Sequence, residues 1–216
     1  MSLQDITRSD LQYGEIGSML HDDGKAGDLE VPFYDFFEQD AIGAFPAKWI
    51  NQYPAASSWT VQAFPYWGAK SLNYLSVGAP NHGKIYRNLP TVINGWARCW
   101  IYDPGGVQMG FFYAHRVGGD NKLVGFANTL SAGFFVYRLN GGGAWVVTAV
   151  PRAVGWHELI FDYSNGADLR IYIDGILVVT DLTETVFNYI ALGSDWGLSV
   201  KNIYYDQVKI IQVCKT

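Results

Sequence analysis

The residues best suited to chemistry sit in four short runs. In "WARCWIYD", residues 96–103, alternation puts Ala97, Cys99 and Ile101 on one face of a strand and Arg98, Trp100 and Tyr102 on the other. "FFYAHR" adds Tyr113 and His115, and "FFVYRLN" adds Arg138. If the small and aliphatic set faces a core, the rings and cationic side chains face away from it, and the binding reading takes them together as one stripe on one sheet face. Rings beside forked donors suit sugars: a pyranose stacks its C–H face on an aromatic ring, and its hydroxyls take hydrogen bonds from arginine or histidine. The competing reading is packing, with the same rings lying under a loop, under a terminal arm or against a neighbouring subunit. The fourth run is "YYDQVKI", residues 204–210, where Asp206 interrupts an apolar strand. It is a solvated acid, a metal ligand or half of an active site.

Other chemistries leave no trace in the sequence. His21, His82, His115 and His157 lack metal-ligand spacing. Cys99 and Cys214 form no C-x-x-C pair, which argues against zinc or redox chemistry and leaves one disulfide as an option. "NGGG" lies between two strands instead of ahead of a helix, so it is no phosphate cradle. The net charge of −5 is uneven: residues 1–40 carry ten acids and two bases, and the remainder is net positive by three. No basic patch points to nucleic acid. No apolar run reaches the length of a membrane span, and "MSLQDITRSD" has no signal-like apolar region, so either synthesis in the cytosol or a leader already removed is expected.

The elements that must position these residues are strands. Of 216 residues, 49% are apolar, 16% aromatic and 16% charged, a composition that fills one sizeable core. Residues 1–33, with the turn-rich "HDDGKAGDLEVP", read as an extended acidic arm with one short helical turn near Ser9–Gly14. From Trp59 the pattern is strand, turn, strand. "LRIYIDG" and "ILVVTDL" form a hairpin whose two turn residues, Asp174 and Gly175, favour a type I′ turn. About a dozen short strands with regular turn signals predict an all-β fold: a two-sheet antiparallel sandwich over 34–216, preceded by the arm.

One stretch is specific enough to carry a resemblance. "VGWHELIFDYSNGADLRIYIDGILVVTDLT" resembles the hairpin signature of laminin-G-like and concanavalin A-like jelly rolls, and "YDFFEQDAIGAFPAKWINQ" is similar to the opening of many carbohydrate-associated sandwiches. The resemblance covers roughly 34–213. It implies that the first and last strands pair, which brings Asp35 or Glu38 near Asp206. Carboxylates gathered in this way repel, so a structural calcium held by Asp35, Glu38 and Asp206 is one expectation. The other is that Asp206 accepts hydrogen bonds and seals the strand pair. Glycanases of this fold carry E-x-D-x-x-E on one strand, and that triplet is missing here. The lyase-like pattern lacks its Gln-x-His.

The expectation is therefore a non-catalytic sandwich that binds or assembles. Its arm contacts neighbouring subunits and its outer face meets cell-surface glycans, as in bacteriophage capsid decoration or tail proteins of this fold, which would place it in a virion. A free-standing, extracellular lectin-like module is the alternative, and a polysaccharide hydrolase or lyase the third reading. Neither nucleic acid nor membrane is an expected partner.

Overall fold

The computed structural model describes residues 29–53, 58–76, 83–106, 108–127, 129–140, 143–195 and 201–213. The proposed helical turn near Ser9–Gly14, most of the arm, His21, His82 and Cys214 lie outside them. Fifteen strands are described, all paired antiparallel. They are β1 (Leu29–Asp35), β2 (Ile50–Asn51), β3 (Ser58–Gln62), β4 (Ser71–Ser76), β5 (Gly83–Ile93), β6 (Gly95–Asp103), β7 (Met109–His115) and β8 (Leu123–Ala127). The rest are β9 (Phe134–Arg138), β10 (Val146–Pro151), β11 (Gly155–Asp162), β12 (Leu169–Ile173), β13 (Ile176–Asp181), β14 (Phe187–Ser194) and β15 (Lys201–Val213). The first strand begins at Leu29, so the expected boundary after residue 33 falls inside β1: Leu29–Phe33 belong to a sheet, not to an arm.

Sheet A runs β13-β12-β11-β6-β15-β4-β3, with β1 also paired to β15. Sheet B runs β10-β9-β8-β7-β14-β5-β2. The two sheets enclose one core that includes Ala97, Cys99 and Ile101 from β6, Leu159 and Phe161 from β11, and Phe112, Phe126, Ile190 and Leu192 from sheet B. Alternation predicts this wherever one strand face stays solvated. In β12 the pattern is buried, half-buried, buried, half-buried, buried. The Asp174-Gly175 turn behaves as its residues predict, with φ of 50° and 76°. Asp174 tolerates that conformation partly because its carboxylate accepts hydrogen bonds from His157 Nδ1 (2.7 Å) and the Glu158 N–H (2.8 Å).

Two departures from simple alternation shape the molecule. Strands β7 and β8 are buried at every position. Their second face carries its own cluster on the outer side of sheet B: Met109, Phe111, Tyr113, Leu123, Ala127, Val136 and Ala191. Strand β15 is broken by an irregularity between Asp206 and Lys209, where Gln207 has φ of 47°. Before the break β15 pairs with β4, and after it with β1. The expected pairing of the chain's first and last strands is thus present, with Asp35 opposite Val208. Cys99 points into the core as a free thiol, and burial pushes its pKa well up.

Candidate functional site

The six expected ligand-binding residues fall on two opposite outer faces. Arg98, Trp100 and Tyr102 leave β6 on the outer side of sheet A, because Ala97, Cys99 and Ile101 point inward. Tyr113 and His115 of β7 and Arg138 of β9 lie on the outer side of sheet B. The stripe read as one surface is two surfaces.

On sheet A the packing reading describes the neighbourhood. Arg98 is buried in an ion pair with Glu158. The segment between β3 and β4 folds over β6: Tyr66 stacks on Trp100 at 3.7 Å, and Phe64 meets Tyr102 edge-on at 4.8 Å and Tyr204 at 4.4 Å. Two carboxylates hold that segment in place. Asp206 Oδ2 accepts the N–H groups of Tyr66 (3.0 Å) and Trp67 (3.1 Å), while Oδ1 accepts that of Gln207 (2.7 Å). Glu38 Oε1 accepts the N–H groups of Ala69 and Lys70, both at 2.8 Å. Between these two anchors the chain turns at Gly68 (φ +83°), where a Cβ would run into the Glu38 carboxylate. Asp206 is fully buried. Burial pushes its pKa up to about 7, with the Glu38 charge adding to it, against the pull of the three N–H groups.

The same contacts bear on the expected calcium. Asp35 accepts the Phe37 N–H (3.1 Å) and the Trp49 indole N–H (2.9 Å), with Lys48 3.5 Å away. Burial raises its pKa against those partners. What occupies the carboxylates of Asp35, Glu38 and Asp206 is thus hydrogen-bond donors. Among the described residues no group of three or more candidate ligands is gathered for a metal ion. Asp206 lies within β15, an inner strand of sheet A, and its partners are the main chain of the covering segment and of Gln207.

The outer face of sheet B is built differently. Across it the register aligns Tyr86 of β5, Ala191 of β14, Tyr113 of β7, Leu123 of β8 and Arg138 of β9 in one row. Small residues in the row leave room between large ones. His115 sits in the next row, opposite Tyr189. Its Nδ1 lies 2.9 Å from the Arg116 carbonyl, so Nδ1 carries the proton and Nε2 is left as a bare lone pair. Nε2 is buried and has no hydrogen-bond partner among the described residues. Burial lowers the pKa of His115, and the charges of Lys84 and Lys122 push the same way against the pull of the Arg116 carbonyl; the ring is neutral near pH 7. The Tyr113 hydroxyl is buried beside the Asp195 main chain and also lacks a hydrogen bond of good geometry. Two such groups cost about 1–3 kcal/mol each, and native proteins keep them where something else meets them.

Around these atoms stand half-buried rings. Tyr189 lies 4.5 Å from the His115 ring and stacks on Tyr86 at 5.6 Å, and Trp145 stacks on Phe111 at 5.1 Å. Lys84 is paired to Asp195 at 2.7 Å and passes 5.1 Å over the Tyr113 ring, Tyr53 donates to Asp195 (3.2 Å), and Arg138 lies 5.5 Å over Trp145. Sequence reading missed Lys84, Tyr86, Trp145, Tyr189 and Asp195. A signal existed for the first two and for Tyr189: Ile85, Ile190 and Leu192 are core residues, so their strand neighbours face outward. Asp195 and Trp145 lie past strand ends, where period two says nothing.

No family model matches the chain, and no curated protein matches it in sequence. Solved structures do match in fold. The cellulose-induced protein Cip1 superimposes with a TM-score of 0.61 at 13% identity, over 85% of this chain and 98% of that one. A conserved carbohydrate esterase from the Shiga toxin-encoding bacteriophage phi24B gives 0.59 at 12% identity, over 86% and 100%. A Bacillus licheniformis β-glucanase gives 0.51 at 16%, over 85% and 98%. At these identities the likeness is one of fold, and it is consistent with the concanavalin A-like fold that the hairpin signature implied: the chain is a two-sheet, antiparallel jelly-roll sandwich.

Proposed function

We propose that the chain is a glycan-binding β-sandwich whose sugar site is the outer face of sheet B. One observation carries the reading: His115 presents a buried, unmet lone pair and Tyr113 a buried hydroxyl, on a sheet face edged by the rings of Tyr86, Tyr189 and Trp145. Rings give a sugar its stacking surface and the unmet atoms give it hydrogen bonds. The names of two proteins of similar fold, a carbohydrate esterase and a β-glucanase, support a glycan as the ligand class. The reading is non-catalytic. Asp195, the carboxylate beside Lys84 and Tyr53, is held by both of them, and the E-x-D-x-x-E triplet of glycanases of this fold is missing from the sequence.

The test is a glycan array probed with the wild type and two variants. Binding should disappear with His115→Ala and survive Trp100→Ala, which lies on the opposite face. The reverse pattern, or release of reducing ends from a bound polysaccharide, would sink this reading.

A finer reading, a bacteriophage virion component, is favoured by the fold shared with a phage-encoded esterase over that protein's whole length. It predicts that the full chain is found by mass spectrometry in purified particles and that removal of residues 1–28 abolishes its incorporation. A truncated chain that still joins the particle would count against it.

A further inference from the structure

We infer that the ligand of the sheet B face is an uncharged, hydroxyl-bearing sugar that donates one hydroxyl to His115 Nε2, and not an acidic glycan. The inference rests on the glycan-binding reading above and narrows it. It follows from which groups on the face are already served. The Lys84 ammonium is 2.7 Å from the Asp195 carboxylate and lies over the Tyr113 ring. Lys122, buried behind the face and turned toward sheet A, is engaged too: its Nζ goes to the Asp181 carboxylate of β13 (2.7 Å), the Leu139 carbonyl (2.9 Å) and the Thr183 hydroxyl (3.2 Å). Arg138 lies against the Trp145 ring. An incoming carboxylate would have to displace Asp195 or sit beside it, and like charges brought together in a desolvated site repel.

The unmet atoms are neutral instead. With Nδ1 engaged by the Arg116 carbonyl, His115 Nε2 can only accept. It therefore requires a donor, which a sugar hydroxyl supplies and a carboxylate does not. The Tyr113 hydroxyl, two residues away on the same face, supplies a donor or an acceptor to a second hydroxyl. Both atoms are closed to solvent, so binding requires the half-buried rings around them, Tyr189 beside His115 among them, to give way.

The experiment is calorimetry of the full chain against two sets of oligosaccharides, neutral ones built from glucose, mannose, galactose or xylose, and acidic ones built from uronic or sialic acids. The expected result is binding within the neutral set, weakened at least tenfold by His115→Ala and largely kept by His115→Gln, whose amide oxygen restores an acceptor. Thermal melts of each variant check that it is folded. Binding confined to the acidic set would overturn the inference while leaving the glycan reading intact. Neutral binding indifferent to His115→Ala would also overturn it. Binding to neither set would remove both this inference and the glycan reading.

Discussion

The two outer faces of this sandwich are both rich in aromatic rings, yet they are organised on opposite principles. On sheet A the carboxylates of buried Asp206 and half-buried Glu38 accept five backbone N–H donors, and the rings of Phe64 and Tyr66 close over Trp100, Tyr102 and Tyr204, leaving the Trp100 indole N–H as an unmet buried donor among the described residues. On sheet B the His115 lone pair is buried without a partner among the described residues, and the Tyr113 hydroxyl is buried beside the Asp195 main chain without a hydrogen bond of good geometry, among rings that stay half-buried. A satisfied polar network holds a segment in place. An unsatisfied one costs stability and is retained where a ligand completes it. The difference assigns the first face to architecture and the second to binding.

The sharpest way to break that contrast is to remove one polar group from each face. Asp206→Ala strands three buried or half-buried N–H groups, and losing hydrogen bonds to a buried carboxylate of this kind costs on the order of 4 kcal/mol. His115→Ala breaks one hydrogen bond, to the Arg116 carbonyl, and its cost should stay below about 2 kcal/mol. Urea denaturation of both variants measures the gap. Equal losses would mean that the two faces do not differ in kind.

A smaller effect concerns pH, and here the faces should pull in opposite directions. Asp206 has a folded pKa of about 7, above its unfolded value. Its contribution is therefore complete below the unfolded pKa and is lost as pH rises through about 7. His115 has a folded pKa below its unfolded value of 6.5, so its contribution is present above that value and is lost as pH falls through it toward the folded pKa. His157 leans the same way as Asp206. Burial lowers its pKa, but its bonds to the Asp174 carboxylate and the Ala153 carbonyl raise it overall, so its stabilisation fades as pH rises. In an Asp206→Asn, His157→Gln background, stability should increase between pH 5 and pH 7.5. In a His115→Gln background it should fall over the same range. Parallel profiles in the two backgrounds would show that these groups do not control the response.

Alternation made the sandwich readable before its structure. Ala97, Cys99 and Ile101 sort inward because a strand with one wet face has no other stable register, and the Asp174-Gly175 turn is dictated by residues that accept positive φ. The same rule gives direction but not depth where both faces are covered. In "MGFFYAH" and "LVGFA" every residue is buried: alternation sets Tyr113 and His115 opposite to Phe112 and Ala114, but not which of the two sets faces the core. Strand β8 itself, Leu123–Ala127, gives no polar beat and was not singled out. Placing Arg98 and His115 on one surface failed for a related reason: local periodicity assigns in and out within a strand, but not which sheet the strand joins. Asp206 is expected from the sequence to seal the two chain ends, but its carboxylate bonds none of the first strand and goes to the covering segment and Gln207 instead. That it holds Tyr66 and Trp67 depends on a contact spanning about 140 residues, which no local pattern encodes.

The smallest expected effect separates the faces most directly, because it has the unusual sign. Tyr113→Phe keeps the ring, its place in the outer cluster of sheet B and the Lys84 ammonium 5.1 Å above it. It deletes only a buried hydroxyl that has no hydrogen bond of good geometry. Removing an unmet polar atom while preserving shape should raise stability, by about 1 kcal/mol. On sheet A the carboxylate behaves differently: Asp206→Asn would keep the shape yet lose acceptor strength toward three N–H groups, and should destabilise. Thermal melts of the two variants at one pH decide the matter. If Tyr113→Phe is stabilised and its glycan affinity falls, the hydroxyl is kept for its ligand at the expense of the fold. If it is destabilised, the hydroxyl already has a partner within the protein, and sheet B is as self-contained as sheet A.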